Sequence, residues 1–152
     1  MMFTTDKHID LTARRFIDRT LPKSDWTHEA HFAVALYLLK REGAAAFAVM
    51  PGLIRAYNES TGVENSDTEG YHETITHASL LAADHCASAH PEGTALHLVL
   101  ADLMRSKFGR PGWLLEHWTK ACLFSVAARR SWVAPDLKPL AFAQDADDPA
   151  IA

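Results

Sequence analysis

Nine histidines stand in this chain of 152 residues, and three of them are spaced so that chemistry could follow. His28 and His31 lie three apart in the run Trp26-Thr27-His28-Glu29-Ala30-His31-Phe32. His72 precedes Glu73 in Tyr71-His72-Glu73-Thr74-Ile75-Thr76. On a helix turning about 100° per residue, His28 lies within about 80° of Phe32, Leu36 and Leu39. His31 falls on the same apolar arc, with Lys40 and Arg41 on the wet side. His72 shares its helix face with Ile75, Thr76, Ser79, Ala82, Ala83 and Cys86, mostly small residues that admit a close neighbour. Glu73 sits at the edge of that face. His77 and His85 turn to the flank and the far side, so they are expected in solvent.

Buried imidazoles need partners, and three converging on a dry pocket make sense around a cation. The expected site is therefore a divalent metal (zinc, iron, manganese or nickel) on His28, His31 and His72. Glu73 would be the fourth ligand, or a general base acting on metal-bound water. Tyr57, Asn58 and Tyr71 would line the ligand pocket beside it. Asp25, Thr27, Thr76 or Asn58 would hold the second ring nitrogens. The same three histidines also read as core residues bonded to carbonyls or hydroxyls, or as metal-free acid–base groups. His72-Glu73-Thr74-Ile75-Thr76-His77 is not the HExxH of a zinc protease, because its second histidine comes one position late and leaves the first one's face.

Other residues carry weaker signals. Trp26 is placed to staple the helix it precedes, or to wall a pocket. Asn58 is placed to brace the following loop or to line a site. Arg129 and Arg130 are a solvated pair or an anion-binding one. Trp113, Trp118 and Trp132 look like a lid over one end, and Glu116-His117 could add a ligand. Cys86 and Cys122 lack a CxxC spacing, and Cys86 is expected to be inert. No phosphate-binding glycine loop and no nucleophile elbow occur.

The elements that must position these groups are helical. Periodicity gives helices over 9–21, 28–42, 44–60 (broken near Pro51), 70–89 and 94–107, with short ones near 113–118 and 125–130. Residues 61–69 read as a polar surface loop, and a proline-marked extended tail closes the chain. No period-two run with a hairpin turn is present. The expected fold is an all-α bundle of about four main helices in one domain, residues 1–143, followed by an acidic flexible tail, 144–152.

Composition agrees with a globular protein, at 48% hydrophobic and 22% charged residues. Fifteen Lys and Arg against 19 Asp and Glu give a formal charge of −4, which argues against nucleic acid or an anionic membrane as partner. Two unpaired cysteines and the lack of a signal-like start point to the cytoplasm. A small molecule is the expected partner. A homodimer is open because small-residue helix faces also suit subunit contacts. The alternative to a metal-dependent enzyme is a non-enzymatic bundle that binds a small ligand or a protein, with its histidines as internal struts.

The two histidine runs, with Tyr57-Asn58-Glu59, Leu123-Phe124-Ser125, Ala128-Arg129 and Trp132-Val133 before Pro135-Asp136-Leu137, resemble the landmarks of a family of small uncharacterised bacterial all-helical proteins. That resemblance covers nearly the whole chain and implies a helical bundle without implying an activity. By analogy alone, a bundle with clustered histidines is also similar in style to the DinB/YfiT-like metal-binding bundles.

Overall fold

The computed structural model describes residues 3–140 and residue 142. It is all-α, with seven α-helices, four of them long, and no strand among the described residues. Helix α1 spans Asp6–Asp18 and starts earlier than its apolar periodicity indicates, because the Thr5 hydroxyl caps it by accepting from His8 N at 3.1 Å. It ends before Pro22 on Arg19, which takes the left-handed conformation at φ 64°.

Helix α2, His28–Glu42, is capped by Thr27 and stops at Gly43, as the sequence predicts. It is the central helix and packs against α1, α3, α4 and α5. Every residue from Phe32 to Leu38 is buried, so its middle has no wet side at all. Helix α3, Ala46–Ser60, runs through Pro51 without the expected break. Pro51 is the sixth residue of this helix, past its first turn, so one backbone bond is lost there while burial of Met50, Ile54 and Tyr57 against the core holds the helix on both sides of it.

Helix α4, Glu73–Ser88, begins three residues later than the sequence indicates. Gly70 has φ 82°, and His72 is extended at φ −136°, ψ 110°, so the helix can start only after it. Helix α5, Leu96–Arg105, is clasped to α1 by one side chain. The Asp6 carboxylate accepts from Leu96 N and His97 N, and from His97 Nδ1 at 2.7 Å.

Two 3₁₀ turns follow, Lys107–Gly109 and Pro111–Glu116. Two short helices come next, α6 at Lys120–Leu123, which the sequence reading missed, and α7 at Val126–Arg130. The extended segment after α7 is strapped to this end of the bundle. Trp118 Nε1 donates to Val133 O, and Thr119 N and Oγ1 donate to the Asp136 carboxylate. His117 is buried between Lys138 O, to which its Nδ1–H donates at 2.9 Å, and Lys107 Nζ, which donates to its Nε2 at 3.0 Å. That ring is a strut for the tail. The acidic segment 144–152 lies outside the described residues. Among the described residues no helix is long and apolar enough to cross a membrane.

Candidate functional site

A cavity of about 340 Å³ lies between α2, α3, α4 and the loop that joins the last two. Its apolar walls include Trp26, Ile54, Ile75 and Leu80, and its polar groups are His31, Asn58, Tyr71, His72, Thr76 and Ser79. Size and lining match a site for a small molecule, mostly apolar with a few convergent polar groups.

The loop wall depends on Asn65. Its Oδ1 accepts from Asn58 Nδ2 and from Tyr71 N, both at 3.0 Å, while its Nδ2 donates to Arg55 O at 3.1 Å. One amide side chain thus fastens both ends of the loop to α3. Gly70 is required beside it. A Cβ there would collide with Glu64 O and lie 2.7 Å from Asn65 Oδ1, in a backbone conformation that side chains rarely adopt.

His31 is the unusual group. Its Nδ1–H donates to Thr27 O at 2.8 Å, one turn back along α2, and its ring stacks on Trp26 with centroids 3.7 Å apart. That bond fixes the neutral tautomer and leaves Nε2 as an unspent acceptor on a ring that lines the cavity. The ring keeps some accessible surface because the cavity admits a water-sized molecule, yet protein surrounds it. Burial is the main reason its pKa falls from 6.5 to about 4; the bond to Thr27 pulls the other way and the nearby His28 adds to the fall.

Of the other two histidines, His72 also lines this cavity and His28 does not. His28 Nε2–H donates to Phe108 O at 2.7 Å, tying the start of α2 to the turn after α5. His72 is the N-cap of α4: its Nδ1 accepts from Ile75 N at 3.1 Å and its Nε2–H donates to Leu123 O at 2.6 Å. Both nitrogens of His72 are spent. Its pKa is lowered, chiefly by burial, with Leu123 acting against the shift. Among the described residues no three His, Cys, Asp or Glu side chains form a group that could hold a metal ion. The expected convergence of His28, His31 and His72 thus reduces to two rings at one cavity, one of which has no nitrogen to give. A helical projection placed His72 on the inner face of α4, and although a cap residue is not itself helical, its ring still lines that side. The projection holds for the residues that are helical, since Ile75, Thr76 and Ser79 do face the cavity.

Glu73 is likewise separate from any imidazole cluster. Its Oε1 accepts from Tyr71 Oη at 2.5 Å. Burial first, then this bond, drives the Tyr71 phenol well above the usual tyrosine range, so it stays protonated and donating. Tyr71 and Asn58 stand at the cavity, whereas Tyr57 does not. Tyr57 is fully buried, donates to Leu21 O at 2.9 Å and packs on Phe16 and Trp26, so its expected place in the ligand pocket is corrected to the core. Trp26 serves both of its expected purposes, because it stacks on His31 of α2, the helix it precedes, and also walls the cavity. His77 is half-buried between Phe47 and Trp132 instead of in open solvent; His85 is exposed and stacks on Phe142.

Ser79, Arg55 and Asn65 were not singled out from sequence. The run of Asn65, Ser66 and Asp67 closed by Gly70 was the available signal, since Asn before a glycine-ended loop commonly organises it through side-chain bonds. Comparison with family models, with curated proteins and with solved structures finds no match to this chain.

Proposed function

We propose that this protein binds a small, mostly apolar molecule that carries a hydrogen-bond donor, in the cavity beside His31. The observation that carries the reading is the His31 ring: Nδ1–H is committed to Thr27 O, and Nε2 is left as an acceptor in a half-apolar cavity. A donor on the ligand would satisfy Nε2, and the Ser79 hydroxyl and Asn58 amide offer polar partners nearby. His28 and His72 act as struts, each with an N–H on a distant backbone carbonyl.

Binding is favoured over catalysis by proton affinity. A base whose pKa is about 4 takes up protons weakly at neutral pH, and the Glu73 carboxylate accepts a bond from the cavity-lining Tyr71. Metal ligation by the three histidines has less support, because His72 has both ring nitrogens bonded and no three His, Cys, Asp or Glu side chains among the described residues are grouped to hold a cation.

The test uses benzyl alcohol, cyclohexanol and indole as probes, with binding read by shifts of amide resonances. Saturable binding is expected, together with its loss in Ser79→Leu, which fills the cavity, while the helical spectrum is retained. In His31→Leu the advantage of benzyl alcohol over its methyl ether should vanish. No binding of any probe, or binding unchanged in the filled variant, would overturn the reading.

A further inference from the structure

A second hollow, of about 200 Å³, is lined in part by Asn65, Ser66, Asp67 and Tyr71 of the same loop. Three guanidiniums and one carboxylate line it: Arg55, Arg129, Arg130 and Asp67. Arg130 spends its charge on Asp67 through a two-bond fork of 2.8 and 2.7 Å. The other two arginines have no carboxylate partner among the described residues. The Arg55 guanidinium carbon lies over the Tyr71 ring, 4.3 Å from its centroid, and that residue is exposed. Arg129 gives Nη1 to Gly70 O and Tyr71 O, and its Nε is buried with no acceptor at all. A buried unpaired donor and two unneutralised guanidiniums on a chain of net charge −4 ask for an anion.

The hollow adjoins the cavity. Tyr71 lines both, Gly70 of the cavity wall is held by Arg129, and Asn58 of the cavity wall is bonded to Asn65 of the hollow. We propose that the arginine-lined hollow is an oxyanion subsite of the cavity, so that the ligand is a mostly apolar carboxylic acid whose body carries a hydrogen-bond donor beside His31 and whose carboxylate lies between Arg55 and Arg129. This rests on the binding reading above and narrows its ligand class. A free inorganic phosphate would satisfy the same guanidiniums, and the experiment separates the two.

The carboxylate 3-(4-hydroxyphenyl)propionate and its neutral amide, which share one phenolic donor, are titrated by calorimetry in phosphate-free buffer, alone and against inorganic phosphate. The acid is expected to bind about tenfold more tightly than the amide, the worth of one charge-assisted contact. In Arg55→Gln that ratio should fall to about one, and in the native chain phosphate should weaken the acid and leave the amide unaffected. Equal affinity of acid and amide overturns the subsite while the cavity reading stands. Failure of both to bind overturns the two together. A preference for the acid that survives in Arg55→Gln places the anion elsewhere, and phosphate that binds without competing makes the hollow a separate phosphate site; either result also overturns the proposal.

Discussion

His31 gives the most direct check on this reasoning, because its environment makes a signed prediction about pH. In the unfolded chain the ring titrates near 6.5, and in the folded protein burial lowers this to about 4. Between those values the unfolded state binds a proton that the native state refuses, so stability is complete above about pH 7 and declines as pH falls. At about 1.4 kcal/mol per unit the full loss comes to about 3 kcal/mol, of which about 2 kcal/mol is reached by pH 5. Water entering the cavity makes these upper figures. His31→Gln keeps a polar side chain that cannot ionise, so its stability should change less over the same interval. Urea denaturation at pH 7.5 and pH 5 measures both proteins, and other titrating groups, His72 included, cancel in the difference. The native chain should lose about 1–2 kcal/mol more than the variant. Equal losses, or an imidazole resonance of His31 titrating near its ordinary value, would refute the account of a surrounded, neutral ring.

Three further outcomes follow from the same geometry. His72→Ala removes a helix cap and leaves Leu123 O without its donor, so it should cost about 2–4 kcal/mol in urea denaturation, while His72→Asn, which can still cap, should recover about 1 kcal/mol. Gly70→Ala should lower stability by about 2 kcal/mol and abolish benzyl alcohol binding, since the new methyl strikes Glu64 O and displaces Asn65; unchanged affinity would show that the loop does not form the cavity wall. Asp6→Asn should weaken the clasp between α1 and α5 by less than about 1 kcal/mol at neutral pH, the site being half exposed. Although burial acts to raise the Asp6 pKa, the bonds from His97 and Leu96 outweigh it and the value is lowered. The native advantage is therefore present above the usual carboxylate range and should disappear as a thermal melt is repeated at falling pH through it.

Fold class was legible because it rests on patterns that add up over many residues. Thr27 and Gly43 bound α2, Pro22 follows α1, and the apolar period is clear in α5. Boundaries failed where a single side chain decided them. Thr5 extends α1 by capping it, and His72 delays α4 by using its ring as a cap, for which imidazole gives little warning in a sequence. The site was legible in part for the same reason. His31, Asn58 and Tyr71 stand at the cavity, since each lies on a helix or loop whose inner side the pattern reveals. His28, His72 and Tyr57 are spent on backbone carbonyls of distant segments, 80, 51 and 36 residues away along the chain, and no local spacing encodes such partners.

Two of those bonds, together with that of His117, show how the chain commits its imidazoles one by one to backbone carbonyls. A segment of turns and very short helices, such as 106–140, leaves carbonyls that no regular ladder satisfies, and a neutral imidazole can reach one from a neighbouring helix with a single N–H. Phe108 O, Leu123 O and Lys138 O each receive such a bond, from His28, His72 and His117. What separates His31 is the location of its carbonyl. Thr27 O lies one turn back on the same helix, so the bond fixes the ring without drawing it toward another segment. The second nitrogen of His72 goes to Ile75 and that of His117 to Lys107, each within ten residues along the chain, whereas Nε2 of His31 belongs to a ring that lines an open volume. A change that moved the Thr27 carbonyl, rather than one that altered the number of histidines, would therefore be the one to disturb recognition.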